Sequence, residues 1–253
     1  MSSSQRDRGI EAGEDWHWAV PAVYSMMMQR IRVKICGLRE PADALKVAQM
    51  GADAVGLVFA ESPRWVSPEQ AREIVDVLPP LVARVGVFVD ADAELIGRVV
   101  QRVGLTLVQL HGDEGPEIVE SLPVPCIKAF RVRGPEWIDE VTDWTARVPS
   151  RRLAAVLLDA YDPKAHGGTG MQFNWEWVAE ARAAGKTAGL GPIILSGGLD
   201  TRNVAKAIDI VQPWAVDVSS GVESAPGVKD LRKVEDFIRA TREGDILQSE
   251  FWI

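Results

Sequence analysis

Val33, Lys34, Ile35, Cys36, Gly37, Leu38 reads as a short strand that ends in a thiol followed at once by a glycine. Side chains alternate between faces along a strand, so Val33 and Ile35 point one way while Lys34 and Cys36 point the other. One face is apolar; the other carries a cation and a reactive sulfur. If strands of this kind recur and close into a ring, Lys34 and Cys36 line its inside and the aliphatic faces are left for helices.

They do recur. Residues 41–50 carry Ala44, Leu45, Val47 and Ala48 on one helical face, and Gly51 takes the place of a helix-ending glycine. Residues 54–59 are the next aliphatic run, followed by the loop Ser62, Pro63, Arg64. Ser67, Pro68 and Glu69 then read as N-cap, first-turn proline and early acid of a second helix. Further strands are expected at 85–89, 107–110, 126–130, 154–158, 193–195 and 215–218. The helices between and after them are expected behind Asp92, from about 116, around Trp137 and Trp144, and at 173–184, 201–208 and 228–240. Eight such pairs, with strands nearly continuous in Val, Ile, Leu and Ala, fit a single (βα)8 TIM barrel of the α/β class. A doubly wound open sheet is the alternative if one element is miscounted.

The 253 residues supply a sizeable core, 47% of them being apolar. A net charge of -8 with no basic stripe excludes a nucleic-acid partner. Two cysteines, Cys36 and Cys126, are too few for a disulfide framework and suit a reducing, cytoplasmic setting. Cys126 reads as a small buried hydrophobe. No stretch is long and apolar enough to span a membrane, so none is expected as a partner. Residues 1–30 read as a poorly structured leader, because they show neither helical nor strand periodicity and lack the flanks of a secretory signal. Met26, Met27 and Met28 offer a start for translation just before the first strand. Residues 31–253 are then the catalytic barrel with a C-terminal tail ending in Phe251, Trp252 and Ile253.

In an eightfold barrel the loops after the strands form the active face. That filter selects Cys36, Arg64, Asp90, His111, Asp159, the pair Gly197 and Gly198, and Asp217 with Ser219, Ser220 and Gly221. Alternation places Leu157 with Asp159, Gln109 with His111, and Asp217 with Ser219, each pair looking inward. The glycine-rich turns after strands seven and eight expose backbone N–H groups where this fold commonly holds phosphate, so a phosphorylated small molecule is the expected partner. Lys34, if close, is expected to favour the Cys36 thiolate. Asp159, partly desolvated at the end of an aliphatic strand, suits a general acid. Lys34 and Asp217 lie on strands that become neighbours on closure, and both need compensation, so an ion pair between them is expected. Scattered histidines argue against a metal, and no GxGxxG follows the first strand to hold a dinucleotide.

Lys34, Ile35, Cys36, Gly37; Ser62, Pro63, Arg64; Gly86, Val87, Phe88, Val89; Gln109, Leu110, His111, Gly112; Asp159; Gly167, Gly168, Thr169, Gly170; Ser196, Gly197, Gly198, Leu199; and the run 217–223 together resemble phosphoribosylanthranilate isomerase of tryptophan biosynthesis, over about residues 31 to 240. The resemblance implies an Amadori rearrangement of N-(5-phosphoribosyl)anthranilate, the third step from chorismate to tryptophan, without cofactor or metal. It implies Asp159 as general acid and Cys36 as general base. Arg64 would hold the anthranilate carboxylate, with His111 and Asp217 as further substrate contacts, Asp217 orienting the amine. Gly197, Gly198, Ser219, Ser220 and Gly221 would hold the phosphate. Met171 and Gln172 stand where relatives often carry Lys, and Asn174 where an acid is usual before Trp175. Either a monomer or a homodimer is compatible with this reading. The rival readings are another phosphosugar isomerase or epimerase and a barrel that binds a phosphorylated metabolite without turnover.

Overall fold

A computed structural model describes residues 30–160 and 173–250, with side chains to residue 243. The leader, the glycine-rich loop holding His166, the positions Met171 and Gln172, and the last three residues lie outside the described residues. Eight parallel strands close into a barrel in sequence order: β1 (Arg32–Cys36), β2 (Ala54–Val58), β3 (Ala83–Phe88), β4 (Leu107–Leu110), β5 (Cys126–Val132), β6 (Leu153–Ala160), β7 (Ile193–Leu195) and β8 (Ala215–Val218), with β8 pairing back onto β1. The open-sheet alternative is thereby excluded.

Six helices follow strands one, two, three, five, six and seven: α1 (Pro41–Gln49), α2 (Pro68–Asp76), α3 (Ala93–Val103), α4 (Trp137–Thr145), α5 (Glu176–Ala183) and α6 (Val204–Val211). After β4 the crossover is a 3-10 segment, Pro116–Ser121, where a short helix was expected. The local signals act as read. Ser67 accepts a hydrogen bond from the Gln70 N–H, and Asp92 one from the Leu95 N–H, each meeting an N–H the helix itself leaves unpaired. The exposed Asn174 does the same for Glu176 ahead of α5.

Alternation partitions the strands into two layers. Val33, Ile35, Val55, Leu57, Val216 and Val218 belong to the large core between sheet and helices. Val85, Ile127, Ala129, Ala155, Leu157, Ile194 and Ala215 fill the inside of the ring. Above that plug the inward positions turn polar: Lys34, Gln109, Asp159 and Asp217 are all buried. The barrel floor is thus apolar and the layer above it polar.

The eighth repeat departs from expectation. Residues 228–240 were read as one helix, yet Glu223–Ala225 and Val228–Lys229 form an antiparallel hairpin, β9 and β10. Helix α7 begins only at Leu231 and runs to Glu250, past residue 240 where the helix was expected to end. Pro226 and Gly227 make the turn, Gly227 at φ +79°. A Cβ on Gly227 would lie 2.6 Å from the Pro63 carbonyl oxygen, so the hairpin presses directly on the loop that carries Arg64.

Candidate active site

At the C-terminal ends of the strands lies a cleft of about 770 Å³ counting its open mouth. It is lined by Cys36, Arg64, His111, Asp159 and Asp217, and by Ser196, Gly197, Gly198, Ser219 and Ser220. Nine of the eleven residues selected at the strand ends therefore share one cavity. Gly221 is not among the lining residues; a Cβ there would run into the Leu199 carbonyl, so it lets the turns after β7 and β8 pack together. Asp90 also stands outside, its Oδ1 accepting from the Asp113 N–H at 2.7 Å.

Cys36 ends β1 and is packed among Val58, Val87 and Ala60. Beside it Lys34 Nζ donates to Asp217 Oδ1 at 2.8 Å, a pair held in register by the strands themselves, and Ser196 Oγ donates to Asp217 Oδ2 at 3.2 Å. Burial lowers the Lys34 ammonium, but Asp217 and Cys36 outweigh it and its pKa is raised. Burial pushes the Cys36 thiol up; Lys34 pulls it down, Asp217 pushes it back up, and the net shift is upward. Lys34 thus favours the thiolate as expected, but the net shift is upward all the same. The cation is already committed to Asp217, and desolvation of the sulfur exceeds what remains of its field. Cys126 is free and buried, and burial raises it to about 11.

Asp159 lies near the end of β6. Its Oδ1 accepts from the Ala160 N–H at 2.9 Å and its Oδ2 lies 3.1 Å from His111 Nε2. Gly197 takes φ +83°, a conformation that L side chains rarely adopt. A Cβ there would also stand 2.9 Å from Asp159 Oδ1, so glycine keeps the turn after β7 close against the acid. That turn is tied down by Asn203, whose Nδ2 donates to the Gly198 carbonyl at 2.8 Å.

Arg64 does not reach into the cleft unaccompanied. Its Nε and Nη2 donate to Glu223 Oε1 and Oε2, both at 2.8 Å, which leaves the Nη1 edge of the planar fork for a ligand. Glu223 also accepts from Lys229 Nζ at 2.8 Å, and Lys229 donates to the Ser219 carbonyl at 3.0 Å. Burial raises the Glu223 carboxyl, but hydrogen bonds from Arg64 and Lys229 more than offset it and its pKa is lowered. Burial lowers the Lys229 ammonium against the pull of Glu223. Sequence reading missed Lys229 and the role of Glu223, because the pairing depends on a hairpin whose second strand it took for helix. It also missed Gly56, opposite Cys36 in the register, where a Cβ would lie 2.6 Å from Sγ.

A closed parallel barrel with an acid, a thiol, an arginine fork and glycine-rich turns gathered at its C-terminal mouth defines the class: a (βα)8-barrel enzyme equipped for acid–base chemistry. Comparison with known proteins narrows this. Residues 33–240 match the family model of N-(5'-phosphoribosyl)anthranilate isomerase. The enzyme of that name from Trichlorobacter lovleyi is 49% identical over 214 residues, covering 84% of this chain and 98% of its own. The crystal structure of phosphoribosyl anthranilate isomerase from Thermotoga maritima aligns with TM-score 0.75 and 40% identity over 84% of this chain and 99% of that one. A structure of a phosphoribosyl anthranilate isomerase in complex with reduced 1-(o-carboxyphenylamino)-1-deoxyribulose 5-phosphate aligns with TM-score 0.71 and 39% identity over 84% of this chain and 99% of that one. The chain belongs to the N-(5'-phosphoribosyl)anthranilate isomerase family.

Proposed function

We propose that this cleft converts N-(5'-phosphoribosyl)anthranilate to 1-(2-carboxyphenylamino)-1-deoxyribulose 5-phosphate, the aldose–ketose step of tryptophan biosynthesis, with Asp159 as general acid and Cys36 as general base. One observation carries the reading. Asp159 on β6 and Cys36 on β1 line one cleft, and the turns after β7 and β8, which lie between those strands around the ring, are the ones suited to an anion. A sugar phosphate anchored there presents its ring to both groups.

Asp159 gives its proton to the ring oxygen as the C1–O bond breaks, and the nitrogen lone pair forms the C=N bond of a protonated imine. Cys36 as thiolate takes the C2 proton; the C–H electrons form C1=C2 and the imine electrons return to nitrogen, giving the enolamine. Loss of the hydroxyl proton and protonation at C1 complete the ketone. The thiol rests protonated because its pKa is raised. The imine cation beside it favours the thiolate at the step that needs it.

Phosphate is held by backbone N–H groups of Gly197 and Gly198 with the Ser219 and Ser220 side of the mouth, Gly221 permitting their approach. Arg64 turns its free edge to the anthranilate carboxylate, a task for which a planar fork is suited. Turnover of freshly made substrate, followed as loss of anthranilate fluorescence, tests this. Wild type is expected to turn over rapidly, and Asp159→Asn and Cys36→Ala to lose kcat by orders of magnitude while still binding. A folded wild type that binds substrate and releases it unchanged would favour the non-catalytic reading.

A further inference from the structure

Gln109 and the His111 that follows two residues later both face the inside of the barrel, and their side chains touch. Gln109 Nε2 lies 2.7 Å from His111 Nδ1, and the other ring nitrogen, Nε2, lies 3.1 Å from Asp159 Oδ2. Three side chains thus run in series from the barrel wall to the acid. The first link sets the polarity of the rest. An amide nitrogen only donates, so Nδ1 is bare; a neutral imidazole with a bare Nδ1 carries its proton on Nε2, which then donates to Asp159.

The middle and the acid end of the series are held. The His111 N–H donates to the Phe88 carbonyl at 2.8 Å, and Arg131 Nη2 donates to the His111 carbonyl at 3.1 Å. Asp159 Oδ1 is fixed by the Ala160 N–H, so an imidazole on Oδ2 removes the remaining freedom of the carboxyl to rotate. In this arrangement Gln109 Oε1 is buried without a hydrogen-bond partner among the described residues. An unmet buried acceptor is costly, and a position that only packs is better filled by leucine.

We propose that Gln109 is a positioning residue for the reaction: its amide holds His111 in the Nε2–H tautomer, and that tautomer fixes the Asp159 carboxyl from which the proton is delivered. His111 then acts through Asp159, in place of the substrate contact that the family resemblance implies. The proposal rests on the assignment of Asp159 as acid.

Two measurements test it. The first is the ¹⁵N spectrum of the resting, substrate-free enzyme labelled at histidine, with the His111 signals identified by their loss in His111→Gln. Wild type is expected to show Nε2 protonated and Nδ1 bare. The second is steady-state kinetics. Gln109→Leu keeps the shape but drops the amide, and kcat is expected to fall roughly ten- to a hundredfold with KM changed by less than about twofold. Gln109→Glu demands a proton on Nδ1, so it either turns a bare Nε2 toward Asp159 or forms an imidazolium that holds Asp159 ionised. It is expected to be worse than Gln109→Leu despite being the closer isostere. An Nδ1–H tautomer in wild type, or a Gln109→Leu enzyme that keeps kcat or alters only KM, overturns the proposal. The spectrum needs no turnover, so failure of the tautomer is separate from failure of the acid assignment, which Asp159→Asn reports.

Discussion

Arg64 and Glu223, 159 residues apart in the chain, meet in a two-pronged ion pair with both contacts at 2.8 Å and both side chains largely buried. The pair joins the loop after β2 to the hairpin after β8, and Lys229 backs it from behind. Such a carboxylate fixes the plane of the guanidinium before any ligand arrives. Glu223→Gln keeps the shape but loses the charge, so Arg64 is expected to wander and KM to rise about tenfold, with kcat changed less. An unchanged KM would show that Arg64 is held by something else. The pH dependence has a definite sign. The Glu223 pKa is lowered in the fold, so its stabilising contribution is present above the unfolded carboxyl value of about 4.3 and is lost as pH falls through the lower folded value. Denaturation curves taken between about pH 5 and 3 should therefore be steeper in pH for wild type than for Glu223→Gln.

Lys34 and Asp217 form an ion pair 3% and 6% exposed inside the ring. Desolvation makes such a pair a weak source of net stability, but removing one member strands the other. Lys34→Met is expected to cost about 3–5 kcal/mol in chemical denaturation, whereas Lys34→Met with Asp217→Leu recovers most of it. Additive losses in the double variant would contradict the pairing. Because the Lys34 pKa is raised, this contribution is fully present below the unfolded lysine value of about 10.4 and is lost as pH rises through the folded one.

The raised pKa of Cys36 sets the alkaline behaviour. As base the thiolate is needed, so kcat/KM is expected to rise as pH increases above neutrality, in step with the rate of Cys36 alkylation by iodoacetamide. A flat profile in that range, with alkylation still rising, would separate the thiolate from catalysis. Stability runs the opposite way. The unfolded thiol ionises first, near 8.5, so the fold loses stability between that pH and the raised native value.

Much of this was legible because alternation in a short strand is a strong local rule. Lys34 opposite Asp217, and Gln109 beside His111, followed from period two and ring closure alone. What escaped was set by contacts distant in sequence. Lys34 favours the Cys36 thiolate as expected, but the net direction of the shift is set by desolvation of the sulfur, with Asp217 adding to it, and a strand pattern reports neither. The hairpin at Glu223–Ala225 and Val228–Lys229 had a local signal in Pro226 and Gly227, yet helical periodicity just downstream masked it. Lys128, which the sequence reading did not single out, points to the helix layer, where its Nζ donates to Glu114 at 2.9 Å and to the Gly112 carbonyl at 2.7 Å.

Gly56 gives the sharpest test of how the thiol is placed. It faces Cys36 across β1 and β2, and a Cβ there would lie 2.6 Å from Sγ and 3.0 Å from the Cys36 Cα. The contact with Sγ is too close to persist and the one with Cα is tight, and the Cα cannot move without shifting the strand. Gly56→Ala should therefore push the sulfur away from its working position. Such overpacking is expected to cost about 1–3 kcal/mol in denaturation. A displacement of about 1 Å at the base is expected to lower kcat roughly a hundredfold. KM should stay near its wild-type value, because Arg64 and the turns after β7 and β8 are untouched. Removing the sulfur should relieve part of the strain, so Gly56→Ala is expected to destabilise a Cys36→Ala background less than it destabilises wild type. If the cost is the same in both backgrounds, the clash is with the strand backbone alone. If kcat survives in Gly56→Ala, the position of the thiol is not what the reaction depends on.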